Sequence, residues 1–279
     1  MRVMERGMSL QVRDNEEFRL NQLLFADDTA LVAGSEEELN RLVQEFGRVC
    51  KRRKLKVNVS KSKVMRCSRR VNNSRLNIAW EGENLEEVEC FKYLGSNISA
   101  NGKIEVEVKS RVNEVAKVQG GLKEMFKCKT LRMDAKRKLY EGIAVPTALY
   151  GAETWNMSVK DRRKLNVMEM RCLRSMCGVT RRDRIRNEEI RRRTGVTREL
   201  SGRADQSVLR WFGHVERMEE SRLVKKIYRS EARGVTLQGR PQLRWMDGVK
   251  KALNDRGMSV EQARVKVRDR SEWRAIVSA

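Results

Sequence analysis

Leu20-Asn21-Gln22-Leu23-Leu24-Phe25-Ala26-Asp27-Asp28-Thr29-Ala30-Leu31-Val32-Ala33 is the stretch on which the fold class turns. Two apolar runs enclose a polar tip, which reads as a β-hairpin with the acidic pair near its turn. Ser35-Glu36-Glu37-Glu38 follows as a capping box, Ser35 placed to cap the third helical amide and Glu38 to reach back. Leu39, Leu42, Val43, Phe46, Val49 and Cys50 then recur at helical spacing. Leu55, Val57 and Val59 alternate with polar residues as a strand, and Lys63 to Cys67 reads as another. Leu76, Ile78 and Trp80 alternate again, with Glu81-Gly82-Glu83-Asn84 as a turn before Leu85. The first third is therefore α+β, built on antiparallel hairpins more than on parallel crossovers.

Beyond residue 100 the period changes. Ile104, Val108, Val112, Val115, Val118, Leu122 and Met125 form one helical stripe, weakly interrupted at Gly120-Gly121. Asp134 to Tyr150 is apolar enough for a buried helix that Pro146 bends or ends. Leu165, Met168, Cys172, Leu173 and Met176 give a further amphipathic helix, and from Arg181 the chain turns basic. The expected organisation is an α+β region over residues 1–100, a helical region over 101–178 and a basic helical tail over 179–279.

The charge is unevenly spread. The chain has 279 residues, 61 basic and 38 acidic, for a net charge of +23. Of that excess, +20 lies in residues 101–279 and +3 in residues 1–100. Such asymmetry marks a polyanion-facing half, because every neutralised phosphate releases a counterion, although a solvated helical surface has the same composition. No apolar run approaches the ~18–20 residues of a membrane span, which excludes an integral membrane protein of the helical kind. The six cysteines are too scattered for a secreted disulfide framework, so a reducing intracellular setting is expected. Cys172, Cys177 and the single histidine, His214, have no second cysteine pair at ligand spacing, so no zinc site is expected.

Asp27 and Asp28 are the first candidates for chemistry. Joining nucleotides needs divalent cations that activate the attacking hydroxyl and hold the leaving phosphate, and carboxylates at a hairpin tip suit that task. An Asp-Asp pair alone is more simply a turn. Here Phe25-Ala26-Asp27-Asp28, between apolar runs and before a capped helix, resembles the catalytic hairpin of reverse transcriptases. Leu55-Lys56-Val57-Asn58-Val59-Ser60-Lys61-Ser62-Lys63 resembles that family's next palm motif, a strand and a lysine-bearing loop. Phe91-Lys92-Tyr93-Leu94-Gly95 resembles the primer-grip hairpin of the non-LTR retrotransposon branch. Tyr150-Gly151-Ala152-Glu153-Thr154-Trp155, Leu209-Arg210-Trp211-Phe212-Gly213-His214-Val215 and Gly239-Arg240-Pro241 look like segments that recur behind the polymerase in retrotransposon proteins.

What the resemblance implies can be stated residue by residue. Asp27 would be the metal ligand with Asp28 beside it, and Mg²⁺, or Mn²⁺ in its place, the cofactor. Lys61 would assist the pyrophosphate leaving group, with Lys63 an alternative alignment. Phe91, Tyr93 and Gly95 would shape the hairpin that holds the primer terminus. The fold would be a truncated palm followed by a helical thumb-like region and a basic helical tail. The family also needs an aspartate from an earlier palm strand. Asp14 is the one aspartate before Asp27, and its polar context is wrong for that ligand. The chain is therefore expected to be the downstream part of a reverse transcriptase, acting on an RNA template and a DNA primer but inactive alone. It would be nuclear if functional. The alternative is a non-catalytic nucleic-acid-binding remnant of a retroelement.

Arg181, Arg182, Arg184, Arg186, Arg191, Arg192 and Arg193 either track a template–primer backbone or form a solvated helix laced with ion pairs. Trp211, Phe212, Trp245 and Trp273 lie among basic residues, where they either stack bases or anchor the core.

Overall fold

A computed structural model describes residues 8–12, 17–67, 75–231 and 243–279. Asp14 and the Gly239-Arg240-Pro241 segment lie outside the described residues. The strands of the first third are β1 (Met8–Val12), β2 (Glu17–Leu20), β3 (Gln22–Phe25) and β4 (Asp28–Leu31), followed by helix α1 (Glu36–Arg52). Five two-residue or four-residue strands come next: β5 (Lys63–Val64), β6 (Ala79–Trp80), β7 (Glu83–Asn84), β8 (Glu86–Glu87) and β9 (Cys90–Tyr93). β10 (Ser96–Ser99) leads into α2 (Glu105–Gly121), α3 (Lys123–Lys127), α4 (Met133–Leu139), α5 (Val145–Ala148), α6 (Val159–Met176), α7 (Asn187–Thr194) and α8 (Leu200–Glu216). α9 (Leu223–Arg229), β11 (Ser230–Glu231), α10 (Trp245–Asn254), α11 (Val260–Lys266) and α12 (Arg270–Ser278) complete the chain. The class is α+β, with short antiparallel hairpins in front and helices behind.

The chain divides into two compact units. One takes residues from 1–91, 99–102 and 218–240; the other takes 92–98, 103–217 and 241–279. The expected division at 178 is not where the units part. One core runs from Val108 and Val115 of α2 through Leu165, Cys172 and Leu173 of α6 to Ile190 and Leu200, straight across that position. The reason is geometric: helices α2, α6, α7 and α8 each bury one stripe, and a stripe on α6 satisfies neighbours on both sides of residue 178.

In the first unit β1 pairs antiparallel with β2, from Met8 opposite Leu20 to Gln11 opposite Glu17, and β11 extends the same sheet. α1 lays Leu39, Val43, Phe46 and Cys50 against Val64, Ile78 and Trp80. Ser35 caps α1 by accepting from the Glu38 amide at 3.2 Å. Glu38 does reach back, but to the amide of Gly34 at 2.9 Å instead of that of Ser35.

Three local expectations are corrected. Leu55 to Val59 is not a strand: the Asn58 side chain accepts from the Lys61 amide at 3.1 Å and starts a 3₁₀ turn over Val59–Lys61. A short amide or carboxylate side chain that satisfies nearby backbone draws the chain out of a ladder. The strand expected over Lys63 to Cys67 shrinks to two residues, and β5 pairs in parallel with β8, Lys63 opposite Glu86. The helix expected over Asp134 to Tyr150 widens into a π-turn at Tyr140–Ala144 just before Pro146. Proline cannot donate to a carbonyl four residues back, and the wider turn moves its ring off that carbonyl.

The helical unit is locked by buried ion pairs as well as by apolar packing. Glu169, fully buried in α6, accepts from the Tyr140 hydroxyl at 3.0 Å, from Arg191 at 2.5 Å and from the Leu200 amide at 3.1 Å. Arg162 grips Asp205 with two parallel bonds of 2.6 Å. Such charges are tolerable inside only because hydrogen-bonding partners of opposite charge meet them there. Phe212 of α8 packs on Trp273 of α12 with ring centroids 5.9 Å apart. Trp273 donates to the Leu209 carbonyl, and it sits where any side chain at Gly213 would be.

Candidate nucleic-acid interface

The β3–β4 hairpin closes on the pair Phe25 and Asp28, leaving Ala26-Asp27 as a two-residue turn. Ala26 adopts the left-handed region at φ 50°. A residue with a Cβ is strained there, and such strain concentrates at functional turns. Asp27 therefore occupies the tip and Asp28 opens β4, both exposed. Neither carboxylate pairs with a cation among the described residues. Leu24 and Phe25, each 62% exposed, flank the tip.

Two adjacent exposed carboxylates are hard oxygen donors of the kind Mg²⁺ prefers. Among the described residues, no group of three metal-ligating side chains forms. The residues present therefore fit a partial site, in which Asp27 and Asp28 would hold a hydrated ion that needs further oxygen ligands from elsewhere.

The two lysines aligned with the palm loop have different fates. Lys63 extends across β5 and β8 to Glu86 at 2.6 Å and belongs to the sheet. Lys61 stands on the 3₁₀ turn, exposed, with no acidic partner among the described residues. Among the described residues it makes no hydrogen bond or ion pair with Asp27 or Asp28.

β9 and β10 form the second hairpin, and its turn is Leu94-Gly95, with φ of 47° and 82°. Phe91 and Tyr93 share one half-buried face, two residues apart along the strand. Tyr150 donates to the Leu94 carbonyl at 2.9 Å, and its ring lies 3.1 Å from where a Cβ on Gly95 would sit. Arg111 donates to the Gly95 carbonyl, stacks 4.8 Å over the Tyr150 ring and is paired with Glu107 at 2.6 Å. The other Glu107 oxygen accepts from the Asn97 backbone and side chain, both at 2.7 Å. Two segments that stand apart in the sequence, Phe91–Gly95 and Tyr150–Trp155, thus meet as one clasp. Glu107 and Arg111, its buried centre, belong to neither motif; their i,i+4 spacing is the one sequence signal that marks them.

The arginines divide into two groups. Arg191 is committed to the buried Glu169. Arg192 and Arg193 both hold Glu189, at 2.7 to 2.8 Å, which pulls its carboxyl down to about 2 because hydrogen bonds from those guanidiniums favour the charged form. Arg181, Arg182, Arg184 and Arg186 are exposed, and none has an acidic partner among the described residues. Asp183, the carboxylate in their midst, is occupied by the amide and hydroxyl of Thr180 at 2.6 and 2.9 Å. Their four charges face water.

The aromatic candidates divide similarly. Phe212 and Trp273 are core. The Trp245 indole donates to the Glu153 carbonyl at 2.9 Å. Trp211, half-exposed, lines an open cleft with exposed His214. Cys172 is buried beside Glu169, and desolvation pushes its thiol up to about 12.

Residues 1–98 are similar to the family model described as reverse transcriptase (RNA-dependent DNA polymerase). Over 272 residues it is 25% identical to a transposon-derived protein of Caenorhabditis elegans, covering 92% of this chain and 95% of that relative. No solved structure matches the chain. Among the described residues, no helix is long and apolar enough to cross a membrane.

Proposed function

We propose that the chain is the nucleic-acid-handling part of a non-LTR retrotransposon's RNA-directed DNA polymerase, and that these 279 residues bind template and primer without polymerising on their own. The observation that carries the reading is the exposed Asp27-Asp28 pair on a tight hairpin that no third ligand joins among the described residues. Two-metal phosphoryl transfer needs a fuller set of carboxylates, because both the attacking and the leaving oxygen must be clamped. In this reading Asp27 and Asp28 contribute half of a Mg²⁺ site and Lys61 stands ready for the leaving group. The clasped hairpin with Phe91, Tyr93 and Gly95 positions the primer end. Arg181, Arg182, Arg184 and Arg186 follow the backbone of an RNA template and DNA primer, and the place of work is the nucleus if the chain is functional.

Primer extension tests it. The chain, supplied with an RNA template, an annealed DNA primer, deoxynucleotides and Mg²⁺, is expected to bind the duplex and add nothing to it. Incorporation that disappears in Asp27→Ala would show that the active site is complete within this chain.

A further inference from the structure

We propose that α8 carries a groove for single-stranded nucleic acid, in which one base stacks on Trp211 and His214 while the adjoining phosphate is held by Arg210. The inference rests on the reading of the chain as a nucleic-acid-handling protein. It names a surface separate from the Arg181–Arg186 group.

Two cavities adjoin along α8. The first, of 350 Å³, is lined by Glu153, Ser207, Arg210, Trp211 and His214. The second, of 310 Å³, shares Ser207 and Arg210 and continues past Arg203 and Arg198. Each lies at the lower end of the range of ligand-binding clefts. Arg203, Ser207, Arg210 and His214 fall at intervals of four, three and four residues, which puts them in one stripe on the outer face of α8. The opposite face carries Leu209, Phe212 and Gly213 against Trp273. That packing fixes the rotation of the helix and so presents Trp211 and His214 to the cleft.

The chemistry of the lining is specific. The Trp211 and His214 rings lie 5.4 Å apart and tilted, an aromatic wall open to solvent. Bases of a single strand offer free faces to such a wall, whereas those of a duplex are already stacked on one another. Arg210 is exposed and has no acidic partner among the described residues, so its fork is available for phosphate. Arg203 shares Glu141 at 3.4 Å, and Arg198 is bound to the carbonyls of Ser278 and Ala279 at 2.7 Å, so they add field more than direct contacts. Glu153 stands at the aromatic end with no cationic partner among the described residues. A carboxylate there accepts from a base's exocyclic amino group and repels the carbonyl pair of uracil or thymine. The groove should therefore prefer amino-bearing bases.

Fluorescence anisotropy with labelled oligo(A) and oligo(U) RNA, and with a duplex of equal length, tests the inference on the full chain. Oligo(A) should bind more tightly than oligo(U). Trp211→Ala and His214→Ala should each weaken oligo(A) by about five-fold or more, the low end for losing one stacked base, and leave the duplex unchanged. Trp211→Phe keeps a ring and should retain most of the affinity. His214→Ala alters an exposed residue and keeps the test decisive if Trp211→Ala fails to fold. Undiminished oligo(A) binding in His214→Ala and in whichever Trp211 variant folds would overturn the groove while leaving general nucleic-acid binding intact. Equal losses on single strand and duplex would overturn the stacking role. A wild-type chain that binds none of the three probes would overturn both this inference and the reading beneath it.

Discussion

Arg191 and Arg192 are neighbours of identical chemistry, and the structure gives them opposite work. Arg191 neutralises a carboxylate that water never reaches; Arg192 holds one at the surface. Removing one partner of a buried pair strands the other charge, at a cost of about 3–5 kcal/mol, while an exposed pair contributes about 0–1 kcal/mol. Urea unfolding of Arg191→Ala should therefore show a loss of about that larger size, and Arg192→Ala a shift within about 1 kcal/mol. Similar losses in both variants would mean that Glu169 is not the buried centre described. The acidic pair allows a second test at this scale. Asp27 and Asp28 repel one another, and a divalent ion relieves that repulsion, weakly, since two carboxylates leave most of its coordination to water. Mn²⁺ should broaden the nuclear magnetic resonance signals of residues 25–30 first, and the double change Asp27→Asn with Asp28→Asn should abolish the effect. Broadening centred on Glu36–Glu38 instead would mark Asp27-Asp28 as a plain turn.

At the scale of elements, the β9–β10 hairpin is braced behind its turn by Tyr150, Arg111 and Glu107. Leu94-Gly95 has two successive positive φ angles, and the second position also faces the Tyr150 ring. A methyl group at Gly95 meets both objections, so Gly95→Ala should destabilise the hairpin by about 1–3 kcal/mol. Glu107→Ala removes the acceptor of the Asn97 amide and the counter-charge of Arg111 in one change. Hydrogen exchange should show the Asn97 amide becoming unprotected in that variant, while amides in α12 stay protected. Unchanged protection at Asn97 would show that the ladder alone orders the turn.

Across the whole molecule, the excess positive charge beyond residue 100 divides into charges that serve the fold and charges left for a polyanion. Arg162 and Arg191 are committed inside; Arg181, Arg182, Arg184 and Arg186 are not. Nucleic-acid affinity should fall steeply with salt. Changing those four to glutamine should flatten the log–log slope on duplex DNA, by about 0.9 for every phosphate they neutralise. Changing Arg192 and Arg193 should leave the slope nearly as it was, because Glu189 already screens them; a larger drop there would reverse the assignment. Much of this was legible in the chain. The Phe25–Asp28 hairpin, the capped α1, the α2 and α6 stripes and the change of period near residue 100 follow from local periodicity and turn chemistry, which act over a few residues. The resemblance to reverse transcriptases was legible for the same reason, being carried by short motifs. Tertiary structure alone decided that Lys63 would lie opposite Glu86, that Tyr150 would reach the turn at Gly95, and that Arg191 would be drawn inside by Glu169. It also decided that Trp211 faces a cleft while Phe212 beside it is core against Trp273. Each of those outcomes depends on a partner far away in sequence, and only the packed chain brings an acceptor, a ring or a counter-charge within reach.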